Sequence, residues 1–467
     1  MTESESSPYA PLSPPVIAAI RQAVGDACVI QDPTKLEDFS RDAMAGIEKF
    51  PELVVEPTTV EQVRALLQLA NVHHFPVTPR GLGTGLAGGA VPVFAGVVLS
   101  MAKMNRIIEI DKNNLIAVVE PGVINADLKR AARRQGLFYP PDPASMDTCS
   151  IGGNAATNAG GSSCVKYGTT RDYVLGLEAV LPNGELIRTG VQTRKGVVGY
   201  DLTHLLVGSE GTLAVITKLI LKLLPHPPAV STVVALFRDL TSAMSSVSAI
   251  LANGCIPCAL EFLDRNCLDL VGDSLPFESA RSAGAFLLVQ ADGAATVVDA
   301  EVEKMGAYCL DNGAIDVIWA PDSYKRAQMW EVRKQVSVTI ENSSPVYIPE
   351  DVVVPIAGIA DFVDNLPDFA ERYQVKIYAF GHAGDGNIHL NITAQSRASM
   401  SQVEEGIYAI LQKVVSMGGT ISGEHGIGLA KRRFLHLELA PANVCLQRSI
   451  KQVFDTNQIL NPGKIFQ

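Results

Sequence analysis

Between Arg80 and Ala90 the chain reads RGLGTGLAGGA, and the residues after this run constrain the fold more than the glycines do. Gly83, Gly85 and Gly88 match GxGxxG, the fingerprint of a strand–turn–helix dinucleotide site. No helix pattern comes next. The chain continues AVPVFAGVVLSM, a proline-broken, β-branched stretch that reads as a strand. A Rossmann unit is therefore excluded here. The physical chemistry of the run survives: four glycines among residues 81–88, with Thr84 between two of them, let backbone amides approach a phosphate closely. Arg80 can add charge to that contact. Two further glycine-rich stretches, SIGGNAATNAGGSSCVKYGTTRD and GYDLTHLLVGSEGTLAVIT, lie in the same half. Three such segments imply a long ligand in extended contact with backbone.

Around these loops the pattern is mixed. Thr59 and Gln62 stand at capping-box spacing before an apolar stripe of Val60, Val63, Leu66, Leu67 and Ala70, which predicts a helix. FPVTP, GVVLSM, RIIEID and LIAVVEPG read as strands, and DYVLGLEAVLPNGELIRTG as a hairpin about PNG. NADLKRAARRQGL reads as a helix with Asn125 as cap and Gly136 as stop. PHPP near residue 226 marks a boundary. Beyond it, STVVALF, AFLLVQA, KIYAFGH and NIHLNI alternate with two helical stretches, as in helices on an antiparallel sheet. The expected division is a loose tail over 1–14, a first domain over 15–226, a second domain over 227–417, and a C-terminal segment over 418–467.

Composition narrows the function classes. The 467 residues carry a net charge of −11, which argues against nucleic-acid binding. The eight cysteines include one CxxC, Cys255 and Cys258, without a second pair to complete a zinc or iron–sulfur set. They read as thiols in a reducing compartment. The polar, proline-rich start lacks the pattern of a signal peptide, and no apolar run approaches the ~20 residues of a membrane span. The expected location is cytoplasmic, with peripheral docking to the inner membrane left open.

The stretch FGHAGDGNIHLNI, residues 380–392, carries two histidines. If Asp385 and Gly386 form a two-residue turn, His382 faces His389 across the strands with Cβ atoms ~5 Å apart. Alternation then puts Asn387, His389 and Asn391 on one polar face and Ile388, Leu390 and Ile392 on the other. Two such imidazoles can share a metal or simply satisfy each other. From residues alone both readings stand.

PRGLGTGLAGGAVPV, SIGGNAATNAGG, VGSEGTLAVIT, GHAGDGNIHLNI, SGEHGIG and NPGKIF occur in this order over nearly the whole chain. Together they resemble the FAD-linked D-2-hydroxy acid dehydrogenases of the vanillyl-alcohol oxidase/p-cresol methylhydroxylase fold. That group includes the glycolate oxidase FAD subunit, FAD-type D-lactate dehydrogenase and D-2-hydroxyglutarate dehydrogenase. The resemblance implies an α+β fold: a two-part FAD-binding domain, an α+β cap domain on an antiparallel sheet, and a C-terminal segment returning to the active site. It assigns cofactor contacts to Arg80, Gly81, Leu82, Gly83, Thr84 and Gly85, and to Pro141, Asp142, Gly152, Gly153 and Asn154. Gly160, Gly161, Gly211, Ile216 and Asn461 complete that set. RGLGTG contains no histidine for covalent attachment, so the FAD is expected to be non-covalent.

The resemblance also places Glu424 beside His382 and His389 as a third metal ligand. A His₂Glu set with open positions suits catalytic Zn²⁺, and Mn²⁺ or Fe²⁺ can also fit. It makes His425 the base and Arg333, in MWEVRK, the partner of the substrate carboxylate. Asn391 is placed to hydrogen-bond substrate or a metal-held water. Ser337, one helical turn beyond Arg333, is a further candidate for the same wall. D-2-hydroxyglutarate dehydrogenases carry a lysine before their counterpart of DVVVP. Here Pro349 and Glu350 stand near that place, and a negative Glu350 is expected to repel a second carboxylate. D-lactate or glycolate is therefore favoured over D-2-hydroxyglutarate. Electrons would pass to a quinone, an electron-transfer flavoprotein or a partner subunit, and a homodimer stays open. The alternative is a flavoprotein subunit acting mainly in assembly or electron transfer within a glycolate-oxidase-like complex.

Overall fold

The computed structural model describes residues 7–271, 278–396 and 400–466. The chain divides into two compact units. The first comprises Met1–Ala159, Thr169–His226 and Glu424–Gln467, and the second Gly160–Gly168 and Pro227–Gly423.

The first unit holds two main sheets. One is built from β1 (Val29–Ile30), β2 (Leu53–Val55), β3 (Val77–Arg80) and β4 (Val97–Ser100), in the order β1-β2-β4-β3. Strands β2, β4 and β3 run parallel. The helix Val60–His73 has the capping box of Thr59 and Gln62. It buries Val63, Leu66, Leu67 and Ala70 in a core shared with Leu53, Val77 and Val97. This alignment of an apolar stripe with a strand-rich core is the main stabilising device of the unit. The second sheet has β5 (Ile107–Asp111), β6 (Ile116–Val119), β8 (Val174–Val180), β9 (Leu186–Gly190) and β10 (Val215–Lys222), in the order β5-β6-β10-β8-β9, all antiparallel. A short pair joins β7 (Leu137–Phe138) to β11 (Leu224–Pro225). The C-terminal segment returns to this unit: Val77 N donates to Ile459 O at 2.7 Å, and Asn461 N to Val77 O at 2.8 Å.

The structure corrects three expectations. Residues 1–6 of the expected loose tail lie outside the described residues, but the chain is tethered from Tyr9 on. The Tyr9 ring is buried, stacks on His74 at 5.3 Å, and its hydroxyl donates to Gln458 O. Asn125 is not the cap of its helix. Ile124 holds that place, and Asn125 is the first helical residue, its side chain donating to Pro141 O at 3.3 Å. Residues 160–168, read in the sequence as part of the first domain, belong to the second unit. There Lys166 Nζ donates to Asp292 Oδ1 at 2.5 Å and Tyr167 Oη to Asp292 Oδ2 at 2.7 Å. A buried carboxylate with two donors is a strong reason for a short segment to pack where it does.

The second unit is one seven-stranded antiparallel sheet. Its strands are β12 (Ala229–Phe237), β13 (Ala259–Leu263), β14 (Ala285–Gly293), β15 (Ala314–Trp319), β16 (Val346–Val353), β17 (Lys376–His382) and β18 (Asn387–Ala394). Their order is β15-β12-β14-β13-β17-β18-β16. The helix Ser323–Glu341, capped by Asp322 on Lys325 N, buries Met329, Val332, Val336 and Ile340 in a core that includes Leu263, Phe286 and Phe380. That core fixes which sheet face the helix covers, and so carries Arg333 to it. No helix among the described residues is long and apolar enough to cross a membrane.

Candidate active site

In the second unit the chemistry-bearing residues gather on one face of the sheet. The turn between β17 and β18 is four residues long, not two: His382 pairs with Asn387, and His389 pairs with Phe380. The facing pair expected from the Asp-Gly turn therefore does not form. The histidines are diagonal neighbours on one face, which is still within reach for rings. Their centroids lie 5.1 Å apart, nearly perpendicular, with Nε2 atoms 3.4 Å apart. At that distance two imidazoles can share a proton or hold one cation.

Glu261, on β13 opposite His382, is wholly buried. Its Oε1 lies 2.6 Å from His382 Nδ1, and its Oε2 accepts from Arg333 Nε at 2.9 Å. Burial pushes this carboxyl up, but the charges of His382 and Arg333 outweigh it and hold it below the ordinary glutamate value. An ionised Glu261 makes Nδ1 the nitrogen of His382 that donates to it, which turns Nε2 away from the carboxylate. The two Nε2 atoms, 3.4 Å apart, are a donor pair that a divalent cation would fit. Arg333 is 9% exposed, and its guanidinium lies 4.5 Å over the Phe380 ring. Its Nη groups have no protein partner among the described residues, so they remain the part of the fork that can meet a carboxylate. Ser337 lies one turn later, half-buried.

Asn391 accepts from Tyr347 Oη at 3.1 Å, and its Nδ2 is buried without a protein partner among the described residues. A buried unpaired donor on the histidine face asks for an acceptor from a ligand. Asp351 pairs with His389 on that face and is fully buried, its Oδ1 4.0 Å from His389 Nδ1. Glu350 pairs with Leu390, so alternation sends its side chain to the opposite, apolar face. The expected repulsion of a second carboxylate by Glu350 is thus corrected: the acid on the histidine face is Asp351. Glu261 and Asp351 were missed in the sequence. The signal for Glu261 was a lone carboxylate inside the apolar strand ALEFL, which no chain buries without partners.

In the first unit four motif segments converge. Gly81 approaches the IGGN helix so closely that a Cβ there would lie 2.5 Å from Ser150 Oγ and 3.4 Å from Gly153 Cα. Asn461 Nδ2 donates to Gly89 O at 3.0 Å and to Glu210 O at 2.8 Å, tying NPGKIF to the glycine loop and to GSEGT. Its Oδ1 is buried without a protein partner among the described residues, ready for a hydroxyl or N–H donor. Arg80, expected to add charge at a phosphate, is instead 8% exposed, and its guanidinium donates to Arg41 O at 2.7 Å and Asp38 O at 3.1 Å. It buttresses the loop from beneath: a Cβ on Gly83, which has φ +73°, would lie 2.0 Å from Arg80 Nη2.

The glycines therefore serve different ends. A Cβ on Gly152 would lie 2.4 Å from Pro121 Cβ, so that glycine permits helix packing. Gly85 is exposed and a Cβ there meets nothing within 4 Å, so that side of the loop is open to a ligand. Leu82 and Thr84, in the same loop, are half-buried. Pro141, Gly211 and Ile216 also lie in this unit, as do Asp142 and Asn154, whereas Gly160 and Gly161 fall in the second unit. Gly85→Leu is expected to leave the thermal midpoint within a few degrees, as exposed substitutions do, while weakening FAD retention at least about tenfold by filling the cradle. Flavin content and melting of the purified variant check this; full flavin content would remove Gly85 from the cofactor site.

Glu424 and His425 begin the last segment of the first unit, directly after Gly423 of the second. Two family profiles match the chain: the FAD binding domain over residues 51–190, and the FAD linked oxidases, C-terminal domain, over residues 226–465. Among known proteins, the chain is 42% identical over 430 residues to the glycolate oxidase subunit GlcD of Bacillus subtilis (strain 168), covering 92% of each. It is 37% identical over 472 residues to D-lactate dehydrogenase of Anaerostipes hadrus, covering 98% of each. Its fold superposes on p-cresol methylhydroxylase, solved with substrate bound, at a TM-score of 0.79 and 18% identity, covering 97% of this chain and 96% of that one. The α+β architecture is thus that of the vanillyl-alcohol oxidase type, and the chain belongs to the FAD-linked oxidases, as an FAD-dependent oxidoreductase.

Proposed function

We propose that this oxidoreductase converts a D-2-hydroxy acid, D-lactate or glycolate foremost, to the 2-oxo acid. The observation that carries the reading is a buried carboxylate, Glu261, joined both to Arg333 and to His382 on one sheet face that also presents the Asn391 Nδ2, which has no protein partner among the described residues. An oxidase that strips hydrogen from the carbon of a hydroxy acid needs a cation for the carboxylate, a group to polarise or deprotonate the hydroxyl, and a hydride acceptor.

FAD, bound non-covalently through Gly81 to Gly85, Gly152 to Asn154, Gly211 and Asn461, supplies the hydride acceptor. The Arg333 fork orients the substrate carboxylate. Asn391 Nδ2 donates to a substrate oxygen, and Ser337 adds a weaker polar contact on the same helix face. His425 takes the hydroxyl proton on an imidazole nitrogen, as a general base does. His382, His389 and Glu424 would hold a divalent metal, Zn²⁺ first and Mn²⁺ or Fe²⁺ next, which supplies Lewis acidity toward the hydroxyl. Reduced enzyme hands its electrons to a quinone, a carrier flavoprotein or a partner subunit.

Stopped-flow bleaching of the flavin under anaerobic conditions, across 2-hydroxy acids of both hands and several lengths, tests the reading. D-lactate or glycolate should bleach the flavin and the L isomer should not. Full bleaching only by a dicarboxylate such as D-2-hydroxyglutarate would move the substrate assignment, which Glu350 no longer constrains. Chelation that strips the metal should slow bleaching by at least about tenfold if the metal acts on substrate; an unchanged rate would make it structural. The Bacillus relative is named a subunit, and that name suits a second reading, a flavoprotein subunit acting mainly in assembly or electron transfer within a complex. A flavin that no hydroxy acid bleaches in the isolated chain would favour it.

A further inference from the structure

The loop SGEHGIG carries the proposed metal ligand Glu424 and the proposed base His425, yet its own sequence gives it no means of holding shape. Three glycines, Gly423, Gly426 and Gly428, sit among seven residues, and Gly426 and Gly428 have φ of +86° and +45°. Ordering such a segment costs backbone entropy, most of all at its glycines. Something outside the loop must supply the order.

Two carboxylates do so, from opposite ends. In the second unit Asp351 Oδ2 accepts from Gly423 N at 2.8 Å and from Ser422 Oγ at 3.2 Å, while its Oδ1 accepts from Asn387 Nδ2. In the first unit Glu210 Oε1 accepts from Ile427 N at 2.8 Å and Oε2 from Gly428 N at 2.7 Å. Glu210 is in turn fixed by its own backbone: its N donates to Ala156 O at 2.7 Å and its O accepts from Asn461 Nδ2. It does this with φ of 53°, a conformation costly for a residue with a side chain. The fit is close, for a Cβ on Gly426 would lie 2.9 Å from Glu210 Oε1. Only Glu424, His425 and Gly426 lie between the two clamped points.

We propose that Asp351 and Glu210 are positioning residues that grip the Ser422–Gly428 loop at its two ends and thereby fix where Glu424 and His425 present their side chains. This rests on the roles given above to those two residues. Charge-assisted bonds to main-chain N–H groups are short and directional. Neither carboxylate is asked to touch substrate; each acts through the backbone of the loop.

Hydrogen exchange in the FAD-loaded full chain reads the clamp directly. In Glu210→Gln, which sets an amide NH₂ against one of the two backbone donors, exchange at Ile427 and Gly428 should rise at least tenfold, and in Asp351→Asn exchange at Gly423 should rise similarly. Flavin reduction should slow about 10–100-fold in each, the range for partners that orient ligands, with FAD content unchanged. Metal retention should weaken in Asp351→Asn. Glu210→Asp should recover part of the rate, which a merely structural loss would not. If Glu210→Gln fails to fold, Ser422→Ala removes one donor from the Asp351 end and should raise exchange at Gly423 and slow reduction several-fold. Unchanged exchange in Ser422–Gly428, or faster exchange with an undiminished rate, would overturn the proposal. Glu424→Gln and His425→Ala serve as controls: if they reduce flavin as fast as wild type, the site reading falls, while the exchange result still judges the clamp.

Discussion

His425→Ala should slow reduction of the bound flavin by D-lactate or glycolate by about 10²–10⁴-fold, the range that a positioned proton acceptor contributes. Transfer of hydride from the substrate carbon leaves a protonated carbonyl unless the hydroxyl proton departs in step. The proposed base is the one histidine of the SGEHGIG loop, and its backbone neighbours Gly423, Ile427 and Gly428 are all held by carboxylates. The chain thus orders the backbone on both sides of this residue. The variant should keep its FAD, because the proposed flavin contacts lie elsewhere in the sequence. Single-turnover bleaching, rather than steady-state turnover, is the appropriate measurement, since it excludes the acceptor step. A deficit that high pH relieves would support proton transfer as the lost step, because hydroxide or a deprotonated substrate can then replace the base. A variant that bleaches at the wild-type rate would assign the proton to another group.

How much of this was legible in the sequence depended on the range of the interaction. Local chemistry was readable. The Thr59–Gln62 capping box and the PNG hairpin formed as the residues require, because both are decided within a few bonds. The Asp-Gly turn was misjudged for the opposite reason. Its conformation is set by tertiary contact: Val354 N donates to Gly386 O at 3.1 Å, and a Cβ on Gly386 would lie 2.1 Å from Val354 O. A loop pressed against a neighbouring strand takes the length that contact permits, and the register moved by two residues while the face was kept. That parity explains why the histidines still meet. Parity also undid the Glu350 expectation, since Glu350 and Asp351 look alike in sequence until β16 is registered against β18. The carboxylates that organise the site, Glu261, Asp351 and Glu210, act over 72 to 121, 36 to 72 and 217 to 218 residues of chain. No spacing rule reaches that far.

Among them Glu261 should be the most costly to neutralise. It has no solvent exposure, and its two oxygens meet one arginine nitrogen and one histidine nitrogen. Glu261→Ala should lower unfolding free energy by about 3–5 kcal/mol, the usual cost of leaving one member of a buried ion pair alone. Arg333 would then be a buried cation over Phe380 with no anion beside it, and His382 would lose the acceptor that sets its tautomer. Glu261→Gln keeps the volume but presents an NH₂ to one of two donors, so it should recover packing without recovering function. The two variants separate the structural from the functional share. A urea midpoint restored in Glu261→Gln, with KM for the hydroxy acid still raised at least about tenfold, would show that the carboxylate charge is needed to aim Arg333. If both variants unfold at the wild-type midpoint and bind substrate normally, the Arg333–Glu261–His382 chain is not the organising element of this site, and the reading built on it fails with it.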